Sequence, residues 1–352
     1  MLLSTAIVRG AYDSPVAVDG SGNAVVVWQQ TDGTFFNIWT NHYETGVGWG
    51  TAELIETTVG HAAFPQVAMD ASGNAMAVWY QFDGSRGDIW ANRYEIGVGW
   101  STAELIETNN AGIAADAQVT MDGNGNAVVV WYQSNGALYH IWSNRYVMGV
   151  GWGTAELLDY NIRSTSVPQV AMDGIGSVVA VWQESDGGSQ TSIWANRYVL
   201  GVGWGTAQPI EFDSAGSAVA PQVSIDNSGN AVAVWSQSDG IRNNIVVNRY
   251  VVGTGWGTAE LIESDNAGDA EKPQISMDSS GNALVVWEQT GGSSIAAWSN
   301  NYVSEEGWGA AQLIGASNAR YAFDPQVSMD SNGNAMAVWS GYGLWSNRWQ
   351  AP

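Results

Sequence analysis

The segment Met69-Asp70-Ala71-Ser72-Gly73-Asn74-Ala75 decides the fold, because near copies of it recur along the whole chain. The copies are aligned by aspartates that lie 51 to 53 residues apart, at Asp19, Asp70, Asp122, Asp173, Asp226, Asp278 and Asp330. Nine residues after each aspartate stands a tryptophan, at Trp28, Trp79, Trp131, Trp182, Trp235, Trp287 and Trp339. Two landmarks kept in register over seven copies predict a repeat protein with a unit of about 52 residues.

Two further tryptophans mark most copies. One lies in an Ile-Trp-x-Asn-Arg-Tyr segment, at Trp39, Trp90, Trp142, Trp194, Trp298 and Trp345, and Val246 replaces it once. The other closes a Gly-Val-Gly-Trp segment, at Trp49, Trp100, Trp152, Trp204, Trp256 and Trp308. The unit therefore has a constant framework along its whole length.

The second copy shows the expected secondary structure. Its predicted strands are residues 65–69, 75–81, 89–94 and 102–107. Asp70–Gly73 is typical of a type I turn, and Asp83-Gly84 is typical of a two-residue hairpin turn. Four antiparallel strands with no helical periodicity predict one blade of a β-propeller, and a solenoid of stacked strands is the alternative.

The ends of the chain favour the propeller. The last copy, residues 325–349, stops after its third strand, and Leu3–Ile7 resembles the missing fourth strand. A strand near residues 2–8 is therefore expected to complete blade 325–349 and remove a free sheet edge. The sequence predicts an all-β, seven-bladed propeller of four-stranded antiparallel blades, forming a single domain over residues 1–352.

Composition limits the partners. The chain has 352 residues, with 34 acidic side chains against 11 Lys and Arg, for a formal net charge of −23. This charge argues against nucleic acid or an anionic membrane as partner. There is no cysteine, the three histidines occupy unlike positions, and no cofactor motif occurs, so we expect no metal centre and no cofactor. A monomer at the cell surface or secreted from the cell is expected.

The repeat resembles two known types of propeller blade. The Asp-x-x-Gly-Asn-Ala register, followed by Trp, Asp-Gly and Ile-Trp, resembles TolB-type blades. Residues 276–283, Ser-Met-Asp-Ser-Ser-Gly-Asn-Ala, also resemble the Asp-box of sialidases and some propeller lectins, although they have one extra residue between Asp and Gly. The resemblance implies a propeller that serves as a glycosidase, a lectin or a scaffold. The first strands carry no arginine, which argues against a sialidase site.

Two faces of such a blade are expected to differ. The Asp-x-x-Gly and Gly-Val-Gly-Trp turns share one face and are nearly identical in every copy, whereas the hairpin tips and the connections between blades vary. Candidate ligand-binding residues on the variable face are Phe35, Phe36, His61, Phe64, Arg86, Tyr139, His140, Arg163, Arg242, Lys272, Arg320 and Tyr321.

The constant residues have structural and functional interpretations. The aspartates are expected to lock turns, and the tryptophans of the second strand to pack between blades. Each arginine of Asn-Arg-Tyr is expected to pair with a carboxylate such as the fourth-strand glutamate. The tryptophans of Gly-Val-Gly-Trp either plug their hairpins or form repeated aromatic pockets for sugar rings.

No catalytic residues are predicted, because no nucleophile, zinc or phosphate-binding motif occurs. The leading hypothesis is therefore a non-enzymatic binding or scaffold propeller, for carbohydrate or for another protein. The first alternative is a polysaccharide-active glycosidase or lyase that uses carboxylates on the variable face. The second alternative is a recently amplified repeat module without an evolved ligand.

Overall fold

A computed structural model describes residues 11–56, 60–108, 112–211, 216–263, 268–292, 294–315 and 321–350. These residues form β-strands, turns and loops and contain no helix, so no helix among them could span a membrane. The strands form seven successive antiparallel sheets, one for each sequence repeat.

The first three sheets follow one pattern. Sheet 1 contains β1 (Ala11–Tyr12), β2 (Val16–Val18), β3 (Ala24–Thr31), β4 (Phe36–Glu44), β5 (Gly48–Trp49) and β6 (Glu53–Leu54). Sheet 2 contains β7 (His61–Met69), β8 (Ala75–Phe82), β9 (Gly87–Glu95), β10 (Gly99–Trp100) and β11 (Glu104–Leu105). Sheet 3 contains β12 (Ala114–Met121), β13 (Ala127–Ser134), β14 (Tyr139–Val147), β15 (Gly151–Trp152) and β16 (Glu156–Leu157).

The remaining sheets repeat this pattern, and the last one is shorter. Sheet 4 contains β17 (Thr165–Met172), β18 (Val178–Ser185), β19 (Thr191–Val199), β20 (Gly203–Trp204) and β21 (Gln208–Pro209). Sheet 5 contains β22 (Ala218–Ile225), β23 (Ala231–Ser238), β24 (Asn243–Val251), β25 (Gly255–Trp256) and β26 (Glu260–Leu261). Sheet 6 contains β27 (Ala270–Met277), β28 (Ala283–Gly291), β29 (Ser294–Val303), β30 (Gly307–Trp308) and β31 (Gln312–Gly315). Sheet 7 contains β32 (Phe323–Met329), β33 (Ala335–Ser340) and β34 (Leu344–Trp349).

The chain divides into two compact units, Met1–Gly176 (unit 1) and Ser177–Pro352 (unit 2), at the turn between β17 and β18. The predicted closing strand near residues 2–8 lies outside the described residues, so closure of a ring and a single domain over 1–352 stay predictions. The three strands of sheet 7 agree with the expectation that the last copy lacks a fourth strand.

The predicted fourth strand is wrong in its extent. In place of a strand over 102–107, sheet 2 has the two short strands β10 and β11, which both pair with β9. The ladder is interrupted between them because the Asn92 side-chain amide donates to the carbonyl oxygen of Ser101 over 2.9 Å. The first strand also begins earlier than expected, at His61, and has a bulge between Ala63 and Gln66.

Tryptophans of the second strand form the core between neighbouring sheets, as predicted. In unit 1, the fully buried Trp131 of sheet 3 packs with Met76, Val78 and Ile89 of sheet 2. In unit 2, Trp287 packs in the same way with residues of sheet 5. An aromatic side chain of this kind buries roughly 150–250 Å². This buried apolar surface holds consecutive sheets together within a unit.

The Asn-Arg-Tyr segment adds a second set of contacts between sheets. The Asn92 side-chain amide also donates to the Ile55 carbonyl oxygen of sheet 1, over 2.9 Å. The Arg93 guanidinium lies 5.8 Å from the ring centroid of Tyr146 in sheet 3, and it pairs with Glu95 over 2.9 Å. In unit 2, Arg197 lies over Tyr250 and Arg249 over Tyr302, at 5.0 and 5.1 Å. Arg93 therefore pairs with a carboxylate of its own blade, as expected, although this carboxylate belongs to the third strand and not to the fourth.

Candidate functional site

The strand register gives each sheet two different ends. In sheet 2, Met69 pairs with Ala75, so the Asp70–Gly73 turn lies at the same end as the Gly97–Gly99 turn that precedes Trp100. At the opposite end, Phe82 pairs with Gly87 across the hairpin tip and with His61 at the start of the first strand. We call these the turn end and the tip end, and they correspond to the constant and variable faces of the sequence.

Hydrogen bonds at the turn end are satisfied internally. The Asp70 carboxylate accepts bonds from the backbone N–H groups of Ser72 and Asn74 and from the side-chain amide of Asn74, over 2.7 to 2.9 Å. Equivalent bonds hold the turns that begin at Asp19, Asp122, Asp226, Asp278 and Asp330. Among the described residues, no three His, Asp or Glu side chains are placed to hold a metal ion. These aspartates therefore lock turns.

The tryptophans of Gly-Val-Gly-Trp also lie at the turn end, and each one contacts a tyrosine of its own third strand. The ring centroids are 5.4 to 5.7 Å apart in the pairs Tyr43–Trp49, Tyr94–Trp100, Tyr146–Trp152, Tyr198–Trp204, Tyr250–Trp256 and Tyr302–Trp308. This arrangement is that of a hairpin plug. In addition, Trp152 lines a cavity of about 140 Å³ together with Arg93, Glu104 and Tyr146.

Three candidates of unit 1 come together at the tip end of sheets 1 and 2. The ring centroids of Phe35 and Phe36 lie 5.2 and 6.1 Å from that of His61, and the Phe36 N–H donates to His61 Nδ1 over 3.3 Å. The ring of Tyr12 is 6.4 Å from that of Phe36. Phe64 is 59% exposed. These residues form an aromatic surface with one imidazole.

Arg86 belongs to an acidic group in sheet 2. Its Nε donates to Asp88 over 2.6 Å, and the Asp88 carboxyl acts electrostatically on that of Glu107, which follows the fourth strand. Burial, followed by the interaction with Asp88, raises the pKa of Glu107 to about 9. Glu107 also accepts a bond from the Gln133 side chain over 2.7 Å. At neutral pH, Glu107 therefore holds a proton.

Tyr139 and His140 lie at the tip end of sheet 3, beside a buried carboxylate. His140 Nδ1 is 2.9 Å from Asp159 Oδ1, and His140 Nε2 is 2.9 Å from the Asn135 side-chain nitrogen. The Ile141 N–H donates to the other Asp159 oxygen over 3.2 Å. Burial raises the pKa of Asp159 above its ordinary value, and these hydrogen bonds oppose the rise. The imidazole is thus held in one orientation.

Two tyrosines and an aspartate lie in the same sheet as His140, at its tip end. The rings of Tyr132 and Tyr139 meet edge to face, with centroids 5.3 Å apart. Burial, followed by the negative charge of Asp116, raises the pKa of Tyr132. Burial also raises the pKa of Asp116, although Gln118 approaches its carboxylate at 3.5 Å. The tip end of sheet 3 therefore combines a histidine, two carboxyls and two phenols.

The remaining candidates lie in the connection after Asp159 and in unit 2. Arg163 is exposed in the connection that follows Asp159. In unit 2, Lys272 Nζ bridges Glu288 at 3.3 Å and Asp324 at 2.7 Å. The Arg242 N–H caps Asp239 over 2.8 Å. Tyr321 stacks on Phe323 with centroids 5.4 Å apart, and Arg320 lies outside the described residues.

The sequence interpretation missed the carboxyl that follows the fourth strand in sheets 1 to 5. These residues follow a Leu-Ile-like pair, at Glu56, Glu107, Asp159, Glu211 and Glu263. Alternation predicted a half-exposed strand, yet four of the five, all except Glu211, are buried. Burial, with a smaller effect from the charge of Asp32, raises the pKa of Glu56 to about 8. The recurrence of an acid after an apolar pair is the sequence signal that could have identified these residues.

Comparisons with known proteins rest on structure. No protein-family model and no curated protein matches the sequence. The fold is similar to that of a polysaccharide lyase, the PL25 ulvan lyase, with a TM-score of 0.63, 9% identity, and coverage of 96% of this chain and 90% of that one. A protein of unknown function from Dyadobacter fermentans DSM 18053 gives a TM-score of 0.51 at 13% identity, with coverage of 83% and 94%. The leech intramolecular trans-sialidase gives 0.50 at 7% identity, with coverage of 98% and 69%.

These likenesses confirm the fold class, an all-β propeller, and they overturn the leading functional hypothesis. The two similar structures that carry a named activity are enzymes that act on glycans. The expectation of a non-enzymatic binding or scaffold propeller is therefore wrong, and the polysaccharide-active alternative is favoured. The TolB-like and Asp-box-like resemblances stay predictions.

Proposed function

We propose that this protein is an enzyme that cleaves a polysaccharide at the tip end of sheet 3. The observation that carries the proposal is the His140–Asp159 pair, in which a fully buried carboxylate orients an imidazole on a divergent surface. A histidine held in this way is suited to general base catalysis. Glycan-active enzymes among the proteins of similar fold support the substrate class.

The orientation of His140 decides its role. If Nδ1 donates its proton to Asp159, Nε2 keeps a lone pair, and the nearby Asn135 side-chain amide donates to it. The lone pair can take a proton from a substrate that displaces this amide. Asp159 then stabilises the imidazolium that forms, as carboxylates do for catalytic histidines.

A phenol is available to protonate the leaving group. The pKa of Tyr132 is raised from its ordinary value of 10, chiefly by burial, so this side chain is protonated at neutral pH. Tyr139, whose ring contacts that of Tyr132, is 40% exposed and reaches solvent. We therefore propose that Tyr139 is the acid and that Tyr132 supports its ring.

This set of groups favours β-elimination in a uronate polymer. His140 removes the proton on the carbon next to the uronate carboxylate, the bond from the neighbouring carbon to the glycosidic oxygen breaks, and its electron pair leaves with that oxygen. A carbon–carbon double bond forms, and Tyr139 protonates the released oxygen. One imidazole and one phenol differ from the pair of carboxyls, roughly 5–10 Å apart, that a glycosidase uses.

The substrate carboxylate needs a cation in a chain of net charge −23. Arg163 lies four residues after Asp159, in the connection whose Ser164 hydroxyl accepts the Tyr139 N–H bond over 3.4 Å. A guanidinium there can pair with a carboxylate in a bidentate manner. We propose that Arg163 binds the uronate and thereby makes its neighbouring C–H more acidic.

The test uses the full chain and three polymers, polygalacturonate, alginate and ulvan. The ultraviolet absorbance of the new conjugated double bond reports cleavage. We expect the wild type to act on at least one polymer, His140→Ala to lose activity by about 10²–10⁴-fold, and His42→Gln, a third-strand histidine of sheet 1, to keep it. Lack of cleavage of all three polymers, or full activity of His140→Ala, would overturn the proposal.

A further inference from the structure

Each first-strand segment has one residue with an unusual backbone conformation. Its φ angle lies between +48° and +56°, in the left-handed region, at Asp13, Phe64, Asp116, Val167, Ala220, Lys272 and Asp324. In sheets 2, 3, 5, 6 and 7 this residue lies in the bulge of the first strand, at the tip-end half of that strand. We call these seven residues the bulge set.

Glycine is the residue that tolerates this backbone region without a steric cost. The chain has 43 glycines and uses one for the positive φ of every aspartate turn, at Gly22, Gly73, Gly125, Gly176, Gly229, Gly281 and Gly333. None of the seven bulge positions is a glycine. A side chain is therefore present at every one of these positions despite the backbone strain.

The backbone of the bulge is held by the preceding sheet. In unit 1, the Phe64 N–H donates to the Gln29 side chain over 3.0 Å. In unit 2, the Ala220 N–H donates to Gln183 over 2.8 Å, and the Asp324 N–H donates to Glu288 over 3.0 Å. The framework therefore fixes the backbone, while the side chain it carries differs from copy to copy. Backbone strain that the surrounding structure maintains is typical of functional sites.

One member of the bulge set, Asp116, lies next to the proposed catalytic group, and two members of unit 2 contact each other. The charge of Asp116 acts on Tyr132, which packs against Tyr139. In unit 2, the Lys272 ammonium binds the Asp324 carboxylate of the next sheet over 2.7 Å. Phe64 presents most of its ring to solvent. Within each unit, the set thus forms a row of different chemical groups at the tip ends.

We propose that the bulge residues of unit 1 contact the sugar residues of the polysaccharide and determine which polymer is bound. Phe64 stacks on a sugar ring, and Asp116 accepts hydrogen bonds from hydroxyl groups. This inference rests on the proposed function for its ligand class, but it concerns binding, which is measured without cleavage.

The test replaces a bulge side chain by glycine, which keeps the N–H bond and removes both the strain and the side chain. Phe64→Gly is compared with Glu305→Gly, because Glu305 has a φ of +72° at the turn end, where the other copies have glycine. Binding of polygalacturonate, alginate and ulvan is measured by affinity electrophoresis, and thermal unfolding is measured in parallel.

We expect both variants to melt at or above the wild-type temperature. Phe64→Gly should weaken binding of the preferred polymer about tenfold, whereas Glu305→Gly should bind like the wild type. Unchanged binding by Phe64→Gly would overturn the inference, and so would an absence of binding to all three polymers by the wild type. If the wild type binds a polymer but cleaves none, the proposed catalysis fails while the inference about binding is still decided by Phe64→Gly.

Discussion

The turn end and the tip end of the sheets use the same residue types in opposite ways. At the turn end, the Asp122 carboxylate accepts three short bonds within its own turn, and Gly125 supplies the positive φ. At the tip end of the same sheet, Asp159 directs its oxygens to a histidine and to a backbone N–H, and Asp116 occupies a strained bulge.

This difference separates two demands on a repeat protein. The turn end repeats one solution in which the aspartate carboxylate is satisfied within its own turn, so its contribution is stability. The tip end has buried acids with raised pKa values and non-glycine residues at positive φ, which cost stability. Costs of this kind are expected where a surface must bind or react.

The largest effect is expected from Asp159→Asn on activity. The amide cannot stabilise the imidazolium and can favour the wrong tautomer of His140, so kcat should fall by about 10³-fold. The KM and the melting temperature should change little, because the side chain keeps its size and its bond to the Ile141 N–H. Steady-state kinetics on the cleaved polymer and thermal unfolding provide the check.

A fall in melting temperature that accounts for the loss of activity would assign Asp159 a purely structural role. The matched control is Glu156→Gln, an exposed carboxylate three residues earlier on the same fourth strand. It should leave kcat, KM and melting temperature at wild-type values.

The second effect concerns stability at the turn end. Asp122→Ala removes an acceptor of three hydrogen bonds from a buried turn, so the free energy of unfolding should fall by about 3 kcal/mol. The exposed tip-end Asp83 accepts bonds from the Ser85 and Arg86 N–H groups, and Asp83→Ala should change stability less. Urea unfolding of both variants makes the comparison. Equal losses would contradict the division between the two ends.

Sequence reasoning predicted the parts of the fold that depend on local chemistry. The Asp70–Gly73 turn and the strand that contains Trp79 were predicted well, because an Asp-to-Gly turn and an apolar run act over a few residues. The contact between Arg93 and the ring of Tyr146 was not predicted, because Tyr146 belongs to the next repeat and lies 53 residues away. The residue pattern within one repeat does not indicate which residues of the next repeat it contacts.

The candidate site was predicted only in part, for a similar reason. Tyr139 and His140 stood out because they differ from the other copies, and Arg86 stood out as a cation at a tip. The buried acids Asp159 and Glu107 were overlooked, because an acid that ends an alternating strand is typical of an exposed edge. Burial by the following sheet changes their chemistry, and this packing arises only in the folded structure.

The third prediction concerns pH and the buried acid Glu107. Its folded-state pKa of about 9 lies above the usual value of 4.5, so the folded protein binds the extra proton between these two pH values. The contribution of Glu107 to stability is therefore fully present below pH 4.5 and is lost as the pH rises towards 9. Glu107→Gln imitates the protonated acid and can keep the bond from Gln133.

Glu107→Gln should therefore gain stability relative to the wild type by roughly 1 kcal/mol between pH 7 and pH 8. Urea unfolding at pH 5, 7 and 8 measures the difference. The exposed Glu104→Gln, on the short fourth strand of the same sheet, serves as the control and should show no such trend. A difference between Glu107→Gln and wild type that is constant with pH would show that Glu107 is ionised in the folded protein.

The smallest effect is expected at the stacking contact between sheets 5 and 6. Arg249 lies 5.1 Å from the ring centroid of Tyr302, and an interaction of a cation with an aromatic face contributes about 1 kcal/mol. Arg249→Met keeps most of the apolar stem and removes the charge, so it should lower the free energy of unfolding by about that amount. A double-mutant cycle with Tyr302→Leu isolates the pair, and additive losses would contradict the stacking contribution.

Sheet 6 has Asn301 at the position of this arginine, so the framework does not require the cation in every copy. A small coupling energy for the Arg249–Tyr302 pair and a large loss of activity in Asp159→Asn would together support the distinction between sheet contacts that add stability and a tip end that binds or reacts.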